Sequence, residues 1–503
     1  MARIVVVGAG MGGLAVAARL AAQRHDVTVV ERSDTVGGKL GWFTRDGFSF
    51  DTGPSLLTLP AVYRDLFLKT GAALDRSVEL VEVDPVCHYR FPDGTEVDLP
   101  NASRGRVVRA LDEALGTGSG AQWAALMDRA GAMWEITRGP FLESPLDGAR
   151  TLVGLSRRVG DLRTVAPWRT LRGLGRSYLR DPRLVMLLDR YATYTGSDPR
   201  RAPAALATVP YLEQTFGAWY VRGGLHQLGE ALHQRVVETG AQVLTSSTVT
   251  EVLVEGDRVS GVLLAGGRRI EADVVVSDAD AAHLYGDLVR SPAADRARTS
   301  LAGATPSLSG FVLLLALRGR TPGLAHHTVL FPQDYDDEFD SVFGTGPHSR
   351  APRPAPDPTV YVSAPDDPAL RPDDDHESLF VLVNAPRHSV DDAAAGIDWD
   401  APGLASSYAD RVLDVMASRG LDVRDRVVWR ELRTPADLAR ATSSVGGSIY
   451  GSSSNGVRSA FLRPANRSPV EGLFLVGGSA HPGGGLPLVG LSAAIVAEQI
   501  GRA

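Results

Sequence analysis

The chain opens with the apolar run Ile4–Val7, passes directly into "GAGMGG", and then takes up helical spacing through Leu14, Ala17, Ala18 and Ala21. A second apolar run, Val27–Val30, ends at Glu31. Short unbroken apolar runs bounded by turn residues predict buried strands, and the three-to-four-residue period between them predicts a helix. Residues 223–280 read as a helix followed by strands. There "AQVLTSSTVTEVLVEGDRVSGVLLAGG" alternates in β fashion around hairpin glycines, and "ADVVVSDAD" is a short buried strand ending in acids. Towards the C-terminus "GLFLV" predicts another buried strand. It is followed by the glycine-rich "GGSAHPGGGLP" and a helix beginning near Val489. In between, "SGFVLLLALRG", "TVYVSAP" and "LFVLVNAP" predict a second sheet. The proline- and charge-rich "HSRAPRPAPDP" and "DDPALRPDDDHES" read as loops.

The first of these units names a ligand class. Gly8, Gly10 and Gly13 form G-x-G-x-x-G between a strand and a helix, a second strand follows, and Glu31 closes it. Gly8 allows the tight turn, Gly10 lets the main chain approach a pyrophosphate, and Gly13 lets helix and strand pack closely. An acid at the end of the second strand accepts hydrogen bonds from ribose hydroxyls. Gly37 and Gly38 follow at once, where a second close approach to a dinucleotide needs bare backbone. "GTGSG" at 116–120 lacks the flanking strand and reads as a loop.

Composition narrows the remaining classes. At 503 residues the chain exceeds one compact core, so more than one domain is expected. A net charge of −7 argues against nucleic acid as a partner, which requires clustered positive charge. One cysteine, Cys87, excludes an internal disulfide and fits a reducing compartment. His326–His327 has no partners at metal-ligand spacing, so no metal is expected. No apolar stretch is long enough to span a bilayer. Residues 151–190, by contrast, hold nine arginines against three aspartates, with Trp168, Leu171, Leu174, Tyr178 and Leu179 interleaved. A basic amphipathic stretch of this kind suits an anionic membrane surface.

The spacing of the glycines, Glu31 and Gly37–Gly38 resembles the flavoproteins that include amine oxidases and carotenoid desaturases, which implies FAD. Across nearly the whole length the chain resembles the phytoene desaturase family of bacterial carotenoid dehydrogenases. The resemblance runs through "FSFDTGPSLLTLP", "DPRLVMLLDRYATYTGSDPRRAPA", "FGAWYVRGGLHQL", "HHTVLFPQDYDDEFD" and "SAFLRPANRSPVEGLFLVGGSAHPGGGLP". It implies an α/β fold, a Rossmann-like FAD domain interleaved with an α+β substrate domain. The FAD domain would comprise 1–100, 205–285 and 455–503, and the substrate domain 101–204 and 286–454, with membrane-docking helices at 151–190.

The resemblance carries the FAD site onto Gly8, Gly10, Gly12, Gly13, Glu31, Arg32, Gly37, Gly38 and Lys39, then Val249 at the adenine end. Gly477, Gly478, Pro487 and Leu488 complete it at the terminal turn. His481, Asp51 and Arg222 are the candidates beside the flavin: His481 as proton acceptor or loop-bonding residue, Asp51 as catalytic group or turn cap, Arg222 as phosphate or backbone partner. The implied reaction removes hydrogen from a long carotenoid or isoprenoid hydrocarbon, with O2 or a quinone as final acceptor. The enzyme would sit peripherally on the inner face of the cell membrane. The ending "GGGLPLVGLSAAIV" departs from phytoene-acting members towards other carotenoid-modifying enzymes, which keeps a later-step desaturase and a terminal oxygenase open. A flavin-free binding protein of the GDP-dissociation-inhibitor type shares this fold. The intact glycine and acid set speaks against that reading.

Overall fold

A computed structural model describes residues 1–146, 159–456 and 463–503. Five parallel strands form the first sheet, in the order Gln242–Leu244, Asp26–Val30, Arg3–Val7, Val274–Ser277 and Leu473–Leu475. Its strands come from three distant stretches of chain, as an interleaved domain requires. The central strand Arg3–Val7 is apolar from Ile4 to Val7 because both its faces are covered there. Ile4 and Val6 pack into the core under helix Met11–Ala22, helix His226–Glu238 and the terminal helix Leu486–Ile500. Val5 and Val7 point the other way. They pack against the three-stranded antiparallel sheet Val249–Glu255, Arg258–Leu264 and Arg269–Glu271.

The second sheet has seven strands, ordered Val427–Arg433, Ser309–Arg318, His376–Ala385, Val360–Ser363, His327–Leu330, Cys87–Arg90 and Glu96–Leu99. Ser309–Arg318 lies inside this sheet and alternates between two cores, Phe311, Leu313 and Leu315 on one side, Val312 and Leu314 on the other. The expected boundary at residue 100 is corrected here. Cys87–Arg90 pairs in parallel with His327–Leu330, so residues 87–99 belong to the second sheet.

The helices Arg104–Leu115, Ser119–Thr137, Leu171–Tyr178 and Pro182–Arg190 cover one side of this sheet. Within the arginine-rich stretch, 151–158 lies outside the described residues. Leu171, Leu174 and Leu179 face inward to the domain core. Arg172 is buried and ion-paired with Asp189 at 2.7 Å and with Asp336. The amphipathic pattern is therefore largely spent on intramolecular packing. Trp168 is the exception, 62% exposed. Among the described residues no helix is long and apolar enough to cross a membrane.

Candidate active site

The strand ends of the first sheet open into one cavity of about 1540 Å³. Gly8 has φ +97° at the turn out of the first strand, and its N–H donates to the Val30 carbonyl at 2.8 Å. Helix Met11–Ala22 starts on Gly10 with no side-chain cap. Gly13 lies so close to the turn that a Cβ there would stand 2.0 Å from the Gly8 carbonyl oxygen. It packs the helix against the strand and does not line the cavity, whereas Gly8, Gly10 and Gly12 do. Glu31 accepts the N–H groups of Ala9 at 2.7 Å and Ser33 at 2.8 Å, which holds its carboxylate at the cavity edge. Gly37 donates to the Ala9 carbonyl, fastening the second glycine pair against the first turn. Gly38, Arg32 and Val249 also line this end. Arg32 reaches across to the Ser443 hydroxyl and the Arg440 carbonyl. Lys39 is half-buried and donates to the Ser448 and Ile449 carbonyls, and desolvation lowers its pKa.

The terminal unit closes the cavity from the other side. Its helix begins at Leu486, three residues earlier than the pattern indicates, on Gly485 and without a side-chain cap. Gly478, Pro487 and Leu488 line the cavity there. Gly477 does not; a Cβ on it would meet Asp278 at 2.1 Å. Two helix N-termini thus face one space, each with a partial positive charge, and at the first the Gly10 and Gly13 N–H groups are met by the Asp278 carboxyl.

His481 is in the wall but buried, its Nε2 3.0 Å from the Ser144 carbonyl, and burial pushes its pKa below the usual imidazole value. The other two candidates are not in the wall. Asp51 accepts the N–H groups of Leu225 and His226 at 2.7 and 2.9 Å, so it caps helix His226–Glu238. Arg222 is half exposed and paired with Glu79 at 2.9 Å, away from any phosphate position at the glycine turns. His327 is buried with Nδ1 3.0 Å from the Val86 carbonyl, and burial pushes its pKa down to about 4.

Three site residues escaped the sequence pattern. Asp278 and Asp280 end the strand Val274–Ser277; the "DAD" was visible, but its reach across the sheet was not. The Asp278 carboxyl lies against Gly10 and Gly12, and burial pushes its pKa up to about 7. Asp280 caps a short helix through Oδ1, while its buried Oδ2 has no partner among the described residues. Arg463 is buried and donates to the Tyr450, Ser452 and Gly478 carbonyls at 2.9–3.0 Å, with its pKa lowered by burial to about 10. It remains a cation in the cavity wall.

These residues fit FAD. The glycine turns admit a pyrophosphate, Glu31 suits ribose hydroxyls, and the orphaned Asp280 Oδ2 suits a hydroxyl donor. Lys39, Arg463 and the helix starts supply positive potential. A cavity of this size also exceeds the ~300–1,000 Å³ of an ordinary ligand site. The same cavity is also lined by apolar side chains, Trp134, Leu142, Val165, Leu206, Val209 and Phe380 among them, which make up its apolar lobe.

A dinucleotide fold with this cradle and an adjoining apolar lobe defines a cofactor-dependent oxidoreductase. The family model for flavin-containing amine oxidoreductases matches residues 11–501, and the chain belongs to that family; its cofactor is FAD. It is 34% identical over 506 residues to 4,4'-diapolycopene oxygenase of Methylomonas sp, covering 99% of this chain and 98% of that one. It is 34% identical to hydroxyneurosporene desaturase of Rubrivivax gelatinosus and 32% identical to zeta-carotene-forming phytoene desaturase of Myxococcus xanthus, each over 99% of this chain and 93% of the relative. Among solved structures, putrescine oxidase bound to putrescine superposes with a TM-score of 0.65 at 17% identity, covering 99% of this chain and 98% of that one. That likeness shows the fold alone.

Proposed function

We propose that the protein is an FAD-dependent carotenoid desaturase, removing hydrogens in pairs from a long polyene taken from a membrane. One observation carries this reading: the dinucleotide cradle and the apolar lobe are parts of one continuous cavity. A soluble amine needs no such lobe. Bound FAD supplies the hydride acceptor, and the chain supplies orientation, dryness and a place for the accompanying proton. For the proton we put forward His481. Its Nε2–H is spent on the Ser144 carbonyl, which leaves Nδ1 as the basic atom. The final electron acceptor in this reading is O2 or a quinone.

A polyene of this length is held in the bilayer by ~0.8 kcal/mol per CH2, so the enzyme must collect it there. Exposed Trp168 follows directly on Pro167, which lines the cavity together with Val165, and this supports peripheral docking at this segment. Cys87, free and buried, accords with the reducing, cytoplasmic side of the membrane. A second reading, a carotenoid oxygenase, draws on the 34% identity to a diapolycopene oxygenase. Mass analysis of products from protein reconstituted with carotenoid liposomes separates the two. Loss of hydrogen pairs supports desaturation; an O2-dependent gain of oxygen supports the second reading and overturns the first.

A further inference from the structure

The apolar lobe contains a polar group that a pure hydrocarbon would not reward. Arg190, at the end of helix Pro182–Arg190, is 6% exposed, and Glu213 is 3% exposed; both line the cavity. Arg190 sits among the rings of Tyr194, Tyr89, Tyr361 and Tyr191, 5.0–5.9 Å from their centres. Among the described residues its guanidinium has a single hydrogen-bond acceptor, the Tyr89 hydroxyl at 3.0 Å. Glu213 accepts the Tyr191 hydroxyl at 2.6 Å and the Tyr194 hydroxyl at 3.4 Å. Tyr361 bonds Ser55 at 2.5 Å, and both belong to the same wall.

Burying a guanidinium and a carboxyl costs several kcal/mol unless their hydrogen-bonding capacity is met. Here the guanidinium keeps donors in hand among the described residues, in the wall of a cavity otherwise rich in apolar side chains. We propose that this cluster recognises one oxygen function, a hydroxyl or carbonyl, at or near the end of the polyene, so that the substrate is an oxygenated carotenoid rather than a plain hydrocarbon. A neutral oxygen suits the cluster, because a carboxylate end would be brought up beside Glu213. A hydroxyl can accept from Arg190 and donate to Glu213; a carbonyl can accept from Arg190 or from Tyr194. The inference rests on the carotenoid-desaturase reading and deepens it.

The test uses FAD-loaded full-length protein and liposomes carrying an acyclic carotene, the same carotene with one terminal hydroxyl, or its terminal aldehyde. Binding is followed by quenching of tryptophan fluorescence, Trp134 being in the lobe wall, and turnover by product mass. The parent is expected to show a KM and a binding constant at least about tenfold lower for an oxygenated carotenoid than for the carotene, since a site built to bond an oxygen penalises its absence. Tyr194→Phe and Arg190→Lys should raise KM for the oxygenated substrates by a clearly larger factor than KM for the hydrocarbon. Tyr194→Phe removes one hydroxyl and serves where Arg190→Lys does not fold. Equal or better use of the plain carotene by the parent overturns this inference and leaves the desaturase reading intact. Equal loss on all substrates in folded variants also overturns it. Conversion of no carotenoid by FAD-loaded parent overturns the desaturase reading and the inference with it.

Discussion

Asp278 decides how the cradle responds to pH. Its carboxyl touches the backbone at the start of the first helix, with Glu31 and Lys39 as the charged groups nearest in influence. Burial raises its pKa from 3.8 to about 7. The folded state therefore holds this proton more tightly than the unfolded chain does. The stabilisation is complete below the unfolded value and is lost as pH rises through the folded one. An ionised Asp278 also repels a pyrophosphate brought to the same helix start. FAD affinity of the parent should fall from about pH 6 to about pH 8, and Asp278→Asn should flatten that profile. Fluorescence titration with FAD checks it; a parallel decline in the variant would place the pH dependence elsewhere. Gly13 gives a second test. Gly13→Ala forces a methyl against the Gly8 carbonyl and should cost about 1–3 kcal/mol or more of stability, with weakened FAD retention. Thermal melting with and without FAD measures both.

At the level of elements, strands and turns with one unambiguous pattern were readable. Ile4–Val7 and Val27–Val30 are short apolar runs flanked by turns, and the glycine spacing fixes what joins them. The terminal helix was legible too, although Gly485 lets it begin at Leu486, ahead of the point where regular spacing starts. Residues 87–99 were counted with the first domain because Cys87–Arg90 joins the second sheet through His327–Leu330, a partner far along the chain that leaves no local trace. Asp51 and Arg222 were candidates beside the flavin; Asp51 caps a helix start, a capping role being one of the two open to it, and Arg222 turns to Glu79. The arginine-rich stretch is ambiguous for another reason. A helix that buries leucines and one ion pair inside its own domain has the same sequence period as one that lies on a lipid surface. Arg172→Gln should thus leave Asp189 buried without its partner and cost about 3–5 kcal/mol of stability, with a lower Tm and little direct effect on liposome binding. Trp168→Ala should do the reverse, weakening sedimentation with liposomes while Tm stays near the parent value. Loss of liposome binding in neither variant would move the docking surface away from 159–190.

The whole molecule is organised around one shared space. The parallel sheet presents its strand ends and two helix starts, and residues of the second sheet and its helices line the same cavity. The chain crosses between the two halves repeatedly, so neither half is completed without the other. Such an arrangement brings a water-insoluble chain molecule to a hydride acceptor without exposing it to solvent. The most direct measurement is anaerobic: FAD-loaded protein mixed with liposomes carrying acyclic carotenoids, plain and oxygenated, with the visible flavin band recorded and the products weighed. The account predicts that the band bleaches in proportion to carotenoid consumed and that each product is lighter by pairs of hydrogens on an unchanged carbon skeleton. A band that persists with every carotenoid but bleaches with a soluble amine would contradict it.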